Sequence, residues 1–457
     1  MRKSLMLLGC CALLVNCGGG SSSGGGVGNM PAPTPSPSPT PTPTPTPAPA
    51  AKLTYLYAFG SKRPDGDQPN GPMIQASDGN FYGTTAAGGP NSCRPGNAIP
   101  CGVIFKITPD GQESVLYAFG SVPNDGYTPY GALIQGSDGA LYGTTTNGGA
   151  FGGGGTVFRV TLAGQYTILY SFGATATDGV VPNGLIQGKD GNFYGTTASG
   201  GANHCTQIPQ AGGNCGTVFK VTPNGAETVL YSFGAFASDG VEPGGLIQGA
   251  DGNFYGTTQN GGANSCSSSG ETHDCGTLFK VTPAGVETVL HSFGSGQNAG
   301  FLGQDGIAPT GTLALASDGS IYGATSSGGE GRCGGLFGCG TIFRFTTAGT
   351  LAIVYAFSVN SRADGDGPSG LTIGPDDNLY GTTTSGGAFS CDSCGTAFRL
   401  TPSGTLNTLY SFGPVNQAPN APIGGLVRGK DGAFYGITRS GVAGSTGSGT
   451  VFKLTLQ

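Results

Sequence analysis

Six stretches of the sequence repeat Asp-Gly-x-x-Pro-x-Gly, beginning at Asp65, Asp125, Asp178, Asp239, Asp305 and Asp364. A carboxylate in that setting has two uses. It can accept hydrogen bonds from backbone N–H groups in a turn whose dihedral angles Gly and Pro define, or, ringed with its counterparts, it can hold Ca2+ or a polar ligand. Asp67 lies two residues after Asp65 and Asp366 two after Asp364, so these four are the expected Ca2+ ligands under the second use; neither pair makes a complete calcium loop. No other cofactor is expected. Ten of the 13 cysteines flank five short loops as Cys93 and Cys101, Cys205 and Cys215, Cys266 and Cys275, Cys333 and Cys339, and Cys391 and Cys394, the second of each directly before Gly. In an exported chain such an even set predicts five disulfides. The Cys391–Cys394 spacing also suits redox chemistry and paired thiols suit zinc, but this pair shares the register of the other four and no paired His motif stands nearby. Arg428 stands where four other copies carry Gln75, Gln135, Gln187 and Gln248, which makes it a candidate ligand contact. His204, His273 and His291 fall at three different repeat positions, and no nucleophile-elbow, metalloprotease or P-loop pattern occurs, so no catalytic residue is named.

These residues must be positioned by a unit that is written seven times. The aromatic of a Tyr-Gly motif recurs at Tyr82, Tyr142, Tyr194, Tyr255, Tyr322, Tyr380 and Tyr435, and the last Phe of a closing Leu-Tyr-Ser-Phe-like run at Phe59, Phe119, Phe172, Phe233, Phe293, Phe357 and Phe412. Each unit holds four short runs of β-branched and aromatic residues separated by Gly, Pro and Asp-Gly turn signals, the pattern of a four-stranded meander a-b-c-d. In the third copy strand a is expected near 184–188, b near 192–197, c near 217–222 and d near 228–233. The strands carry apolar residues on both alternations, so both faces of each sheet must be covered, and radial stacking of sheets does this. The domain begins on a lone d strand near Leu53 and ends on a c strand near Leu456. The expected fold is therefore all-β: a single seven-bladed β-propeller of four-stranded blades over 53–457, closed by the N-terminal strand joining the last blade. In that architecture the b-c loops and d-to-a crossovers share one face, the loop face, where the cysteines and the six Asp residues fall. The Tyr residues are expected to pack between blades, and the Gln residues to meet a neighbouring blade or to line the channel.

The chain ahead of the repeats has no fold to build. Arg2 and Lys3 precede an apolar run, Leu5 to Val15, too short to span a bilayer, so residues 1–17 read as an export signal. The signal ends Leu14-Val15-Asn16-Cys17, which resembles a bacterial lipobox and makes Cys17 the expected lipid anchor. Residues 18–52, Gly/Ser-rich and then alternating Pro and Thr, read as a disordered stalk whose second part favours polyproline II at about 3.1 Å per residue. Only 10% of the 457 residues are charged, the net charge is −6, and the 19 Lys and Arg form no cluster, which argues against a nucleic-acid partner.

The run G-L-I-Q-G-K-D-G-N-F-Y-G-T-T, followed after a loop by G-T-V-F-K-V-T-P-N-G, resembles the GloVer-type tandem repeats of the choice-of-anchor bacterial surface proteins, from about Leu53 to Gln457. The seventh copy departs most, with Ile437 for Thr and Arg428 for Gln. The resemblance implies attachment at the cell surface, by a lipid anchor at the outer membrane, and implies no agreed activity. The functional expectation is a non-catalytic binding or adhesion module whose loop face meets a glycan, a peptide or another envelope component, with the membrane touched through the anchor only. Two alternatives stand beside it: a propeller lyase or hydrolase acting on polysaccharide or a small lactone-like substrate, and a structural protomer of an envelope assembly.

Overall fold

A computed structural model describes residues 51–62, 64–94, 97–205, 215–268, 271–295, 303–329, 338–358, 363–389, 394–413, 420–440 and 448–457. The expected signal, Cys17 and the stalk up to residue 50 lie outside the described residues. Seven antiparallel sheets each order their four main strands a-b-c-d, a seven-bladed propeller. The third blade is representative: a is Gly179–Gln187, b Phe193–Gly200, c Thr217–Val221 and d Glu227–Ser232. Asp190-Gly191 and Asn224-Gly225 make the tight turns, with Gly191 and Gly225 at φ 81° and 86°, which L side chains avoid.

Strand a starts five residues earlier than the sequence suggests, at Gly179 rather than near Gly184, so Asp-Gly-x-x-Pro leads into a strand and is not wholly a crossover. The pairing of a with b shifts register between Pro182 and Leu185. The residue before the proline takes a left-handed conformation in every blade: Gln68, Thr128, Val181, Glu242, Ala308, Gly367 and Ala421 lie at φ 50–61°. Such a bulge gives a proline a place in a strand without a missing ladder bond.

The hydrophobic core is divided into seven clusters, one at each junction between blades. At every junction the closing Phe of one strand d meets the Phe of strand c in the next blade, as in Phe233 with Phe279 at 5.0 Å and Phe412 with Phe452 at 5.1 Å. Tyr194 likewise stacks on Phe254 of the following blade at 4.1 Å. Each such pair contributes about 0.5–1.5 kcal/mol beyond the area it buries.

The ring closes through the same contacts that join its interior blades. Ala51–Ala58 pairs antiparallel with Thr450–Leu456, so the closing strand begins two residues before Leu53. Phe59 from that strand meets Phe105 of the first blade at 4.9 Å, and Phe81 meets Tyr435 at 4.0 Å. Gln75 accepts the Lys430 N–H at 2.8 Å, the bond that Gln135, Gln187 and Gln248 make to the N–H of Ser77, Ser137 and Lys189. These glutamines therefore tie the first four blades each to the turn of the preceding one.

Candidate binding face and channel

The six aspartates sit in the crossovers, and each has at least one carboxylate oxygen engaged there. Asp178 accepts from the Tyr170 hydroxyl at 2.8 Å and from the N–H groups of Gly173 and Ala174. Asp239 does the same with Tyr231, Ala235 and Gly240, Asp65 with Tyr57, Gly60 and Lys62, and Asp125 with Tyr117 and Ser121. Asp364 takes the Tyr355 hydroxyl, and Asp305 takes His291 at 2.8 Å in place of a tyrosine, together with Gly294 and Ser295. The Tyr–Asp pairs are eight or nine residues apart and His291–Asp305 fourteen, and each forms because the ring at the end of d faces the loop that folds back over it. Asp67 pairs with Ala87 in strand a of the first blade and Asp366 with Ser385 in that of the sixth. Among the described residues no three His, Cys, Asp or Glu side chains gather to hold a metal ion.

Arg428 is not brought to this ring. It ends strand a of the seventh blade at the a-b turn, exposed, with its guanidinium near Gly432, on the side opposite the crossovers. Asn416 of the seventh crossover lies outside the described residues, as do Cys333 and Cys391.

Cys93–Cys101, Cys205–Cys215 and Cys266–Cys275 are disulfides, and Cys339 and Cys394 are disulfide-bonded as well. Their position explains what they stabilise. The carbonyl of Cys215 accepts the N–H of left-handed Glu242 in the next blade at 3.1 Å, and Cys275, Cys339 and Cys394 do the same for Ala308, Gly367 and Ala421. The glycine after four of these cysteines also lies against the next blade's proline: a Cβ on Gly216 would stand 2.7 Å from Pro243 Cδ, and one on Gly276 2.6 Å from Pro309 Cδ. From the third to the sixth blade the Cys-Gly of one copy and the x-Pro of the next thus interlock. Disulfides belong to an oxidising compartment, and the chain is an exported protein.

Strands a of all seven blades line an axial channel of about 1280 Å³. Its wall combines glycine backbone and Thr and Ser hydroxyls with aliphatic side chains such as Ile74, Leu133, Ile186 and Ile247, and Glu242, Asp366 and Arg439 are its charged lining residues. Tyr130 projects into it and is 47% exposed. In the third copy the threonines of the Tyr-Gly-Thr-Thr motif are both engaged: Thr196 donates to Gly244 O of the next blade at 2.6 Å, while Thr197 pairs with Thr217 inside the sheet at 2.8 Å.

One register of the b-c loops separates scaffold from surface. After Gly-Gly-x, Asn91, Asn203 and Asn264 donate to carbonyls at the end of strand d, as Asn203 does to Ser232 and Phe233 at 2.8 and 3.0 Å. Phe151 and Phe389 hold that register in the second and sixth blades, where they are 50% and 55% exposed. Sequence reading missed both, although the switch from Asn to Phe in a repeat was a usable signal. It also missed Arg439 on the channel wall.

The fold and site define an exported, disulfide-bonded propeller with an open axial channel. The chain belongs to the Gloeobacter/Verrucomicrobia repeat family, which matches residues 46–209, 208–339 and 265–457. Comparison with curated proteins finds no match. Among solved structures, the extracellular domain of BT3049 from B. thetaiotaomicron superposes with a TM-score of 0.52 at 12% identity, over 88% of this chain and 41% of that one. A fungal alcohol oxidase of the AA5 family, in complex with copper, does so with a TM-score of 0.52 at 12% identity, over 90% of this chain and 76% of that one. At such identities the likeness is one of fold.

Proposed function

We propose that the propeller is a non-catalytic binding module displayed at the cell surface, tethered by lipidated Cys17 and the Pro/Thr stalk, and that its loop face and channel mouth receive a neutral, hydroxyl-rich ligand of the glycan class. The observation that carries this reading is the division of labour within the repeat. Asp, Thr, Gln and Tyr of the motif are spent on the scaffold, whereas positions released from that duty present exposed aromatic rings, Phe151 and Phe389 on b-c loops and Tyr130 on the wall of a channel that mixes hydroxyls with aliphatic side chains. Aromatic faces with a few convergent polar groups suit a ligand with apolar ring faces and many hydroxyls.

The reading is tested by binding of soluble glycans to the full-length protein, wild type and with Phe151→Ala, Phe389→Ala or Tyr130→Ala. A glycan that binds, and loses about tenfold in affinity (about 1.4 kcal/mol) with at least one of these variants, supports it. Binding that all three variants leave intact, or glycan turnover by the protein, overturns it. The anchor has its own test: Cys17→Ser should move the protein from the membrane to the soluble fraction.

A further inference from the structure

Three blade junctions contain a second carboxyl beside the crossover aspartate. Glu113, Glu227 and Glu287 occupy one register, the first residue of strand d in the first, third and fourth blades. Each is half-buried with its Oε1 fully buried and without a hydrogen-bond partner. Glu227 faces Asp178 and Tyr170 of the preceding crossover, Glu287 faces Asp239 and Tyr231, and Glu113 faces Asp65, Tyr57 and Lys62. Asp178 is 5% exposed, and its Oδ1 is likewise buried and unpartnered.

Two like charges do not share a buried junction without a proton or a cation between them. The repeat supplies its own comparison. In the second blade the register holds Tyr166, a neutral side chain stacked on Tyr117 at 3.9 Å, with its buried hydroxyl facing Asp125. In the fifth and sixth blades it holds Leu351 and Leu406, which bring no charge.

We infer that the pairs Glu113–Asp65, Glu227–Asp178 and Glu287–Asp239 each bind one proton, carried by the glutamate in the place of Tyr166, and that these junctions loosen when it dissociates to solvent. Burial, and then the neighbouring aspartate, pushes Glu113 and Glu227 up to about 7 and Glu287 to about 8, from an ordinary 4.5. Lys62 opposes the shift at Glu113. Between pH 4.5 and 8 the folded chain therefore holds protons that the unfolded chain has released, so stability falls as pH rises through that window. The aspartates of the a-b turns do not titrate there. At Asp190, burial works against the charge, but hydrogen bonds from Tyr194 and Asn192 outweigh it and hold the carboxyl below its ordinary value, as the equivalent bonds do at Asp78, Asp251 and Asp376.

The test is thermal unfolding of the disulfide-intact, full-length protein from pH 5.5 to 9, against E113Q/E227Q/E287Q, which fixes the register in a neutral, donating form. The wild type should lose about 5 °C or more in Tm across the range and the variant most of that slope. An equal slope in both overturns the inference. A rise in wild-type Tm at pH 9 on adding Ca2+, absent from the variant, also overturns it, by showing that the pairs bind a cation instead. If the triple variant fails to fold, infrared spectra of the wild type and of E227Q decide. A protonated-carboxyl band present at pH 6, lost by pH 9 and weaker in E227Q supports the inference, and no such band in the wild type sinks it.

Discussion

At the scale of single residues, identical side chains in one register do one job until the scaffold releases them. Asp178 and its counterparts illustrate why the sequence left two uses open: capping and ligation draw on the same carboxylate oxygens. Only the fold shows that Tyr170, Gly173 and Ala174 have already claimed the Oδ2 of Asp178. Glycine is read more easily from the structure than from a chain with 90 of them. Gly216 sits at φ 94°, and a Cβ there would stand 2.4 Å from Thr197 O and 2.7 Å from Pro243 Cδ, atoms that cannot give way cheaply. Gly216→Ala is expected to destabilise the protein by roughly 2–4 kcal/mol, in contrast to Gly191→Ala, where nothing lies within 4 Å and only the backbone strain of about 1 kcal/mol applies. Denaturant unfolding of the two variants measures the difference, and equal losses would refute the interlock between Cys-Gly and x-Pro.

At the scale of elements, the four-stranded meander was legible because its period and turn signals are local. The start of strand a was not. Gly and Pro ordinarily punctuate loops, and Asp178 to Pro182 read as a crossover, but the bulge places Gly179–Pro182 in the ladder opposite Thr197–Gly200. The disulfide loops gain their meaning at this level. Cys205 and Cys215 close a ten-residue separation, and the carbonyl of Cys215 receives the Glu242 N–H of the next blade. Replacing both cysteines by serine should cost about 2–3 kcal/mol in unfolding free energy. Hydrogen exchange should speed up at the Glu242 amide in the fourth blade while the Val181 amide, held by Gly154 of a disulfide-free loop, stays protected. Exchange unchanged at Glu242 would mean the disulfide braces its own loop alone.

At the scale of the molecule, stability depends on closure. Each blade shares its core with two neighbours, and the last junction is completed by a strand from the opposite end of the chain. Deleting 51–59 would strip the partner from Thr450–Leu456 and uncover Phe105, leaving a bare edge of the kind that pairs with other chains. The expected outcome is aggregation in size-exclusion chromatography, with loss of a single cooperative unfolding transition. A monomeric variant that unfolds in one step would show that the ring does not need its seam. Closure also spreads the three Glu–Asp junctions among seven, so their pH response should appear as a shift of the whole transition.

The sequence by itself determined the count of seven, the four-strand unit, the permuted closing strand and the pairing of Cys93 with Cys101, Cys205 with Cys215 and Cys266 with Cys275, because all of these are written in local periodicity or exact repetition. It could not determine which members of the repeat remain free to act. Whether Asp178 caps a loop, whether Glu227 shares a proton across a junction and whether Phe389 is packed or exposed depend on the neighbouring blade, which lies some fifty to sixty residues away in the chain. The tertiary structure decides these points, since closing the ring sets which oxygens, rings and N–H groups meet and which are left facing water.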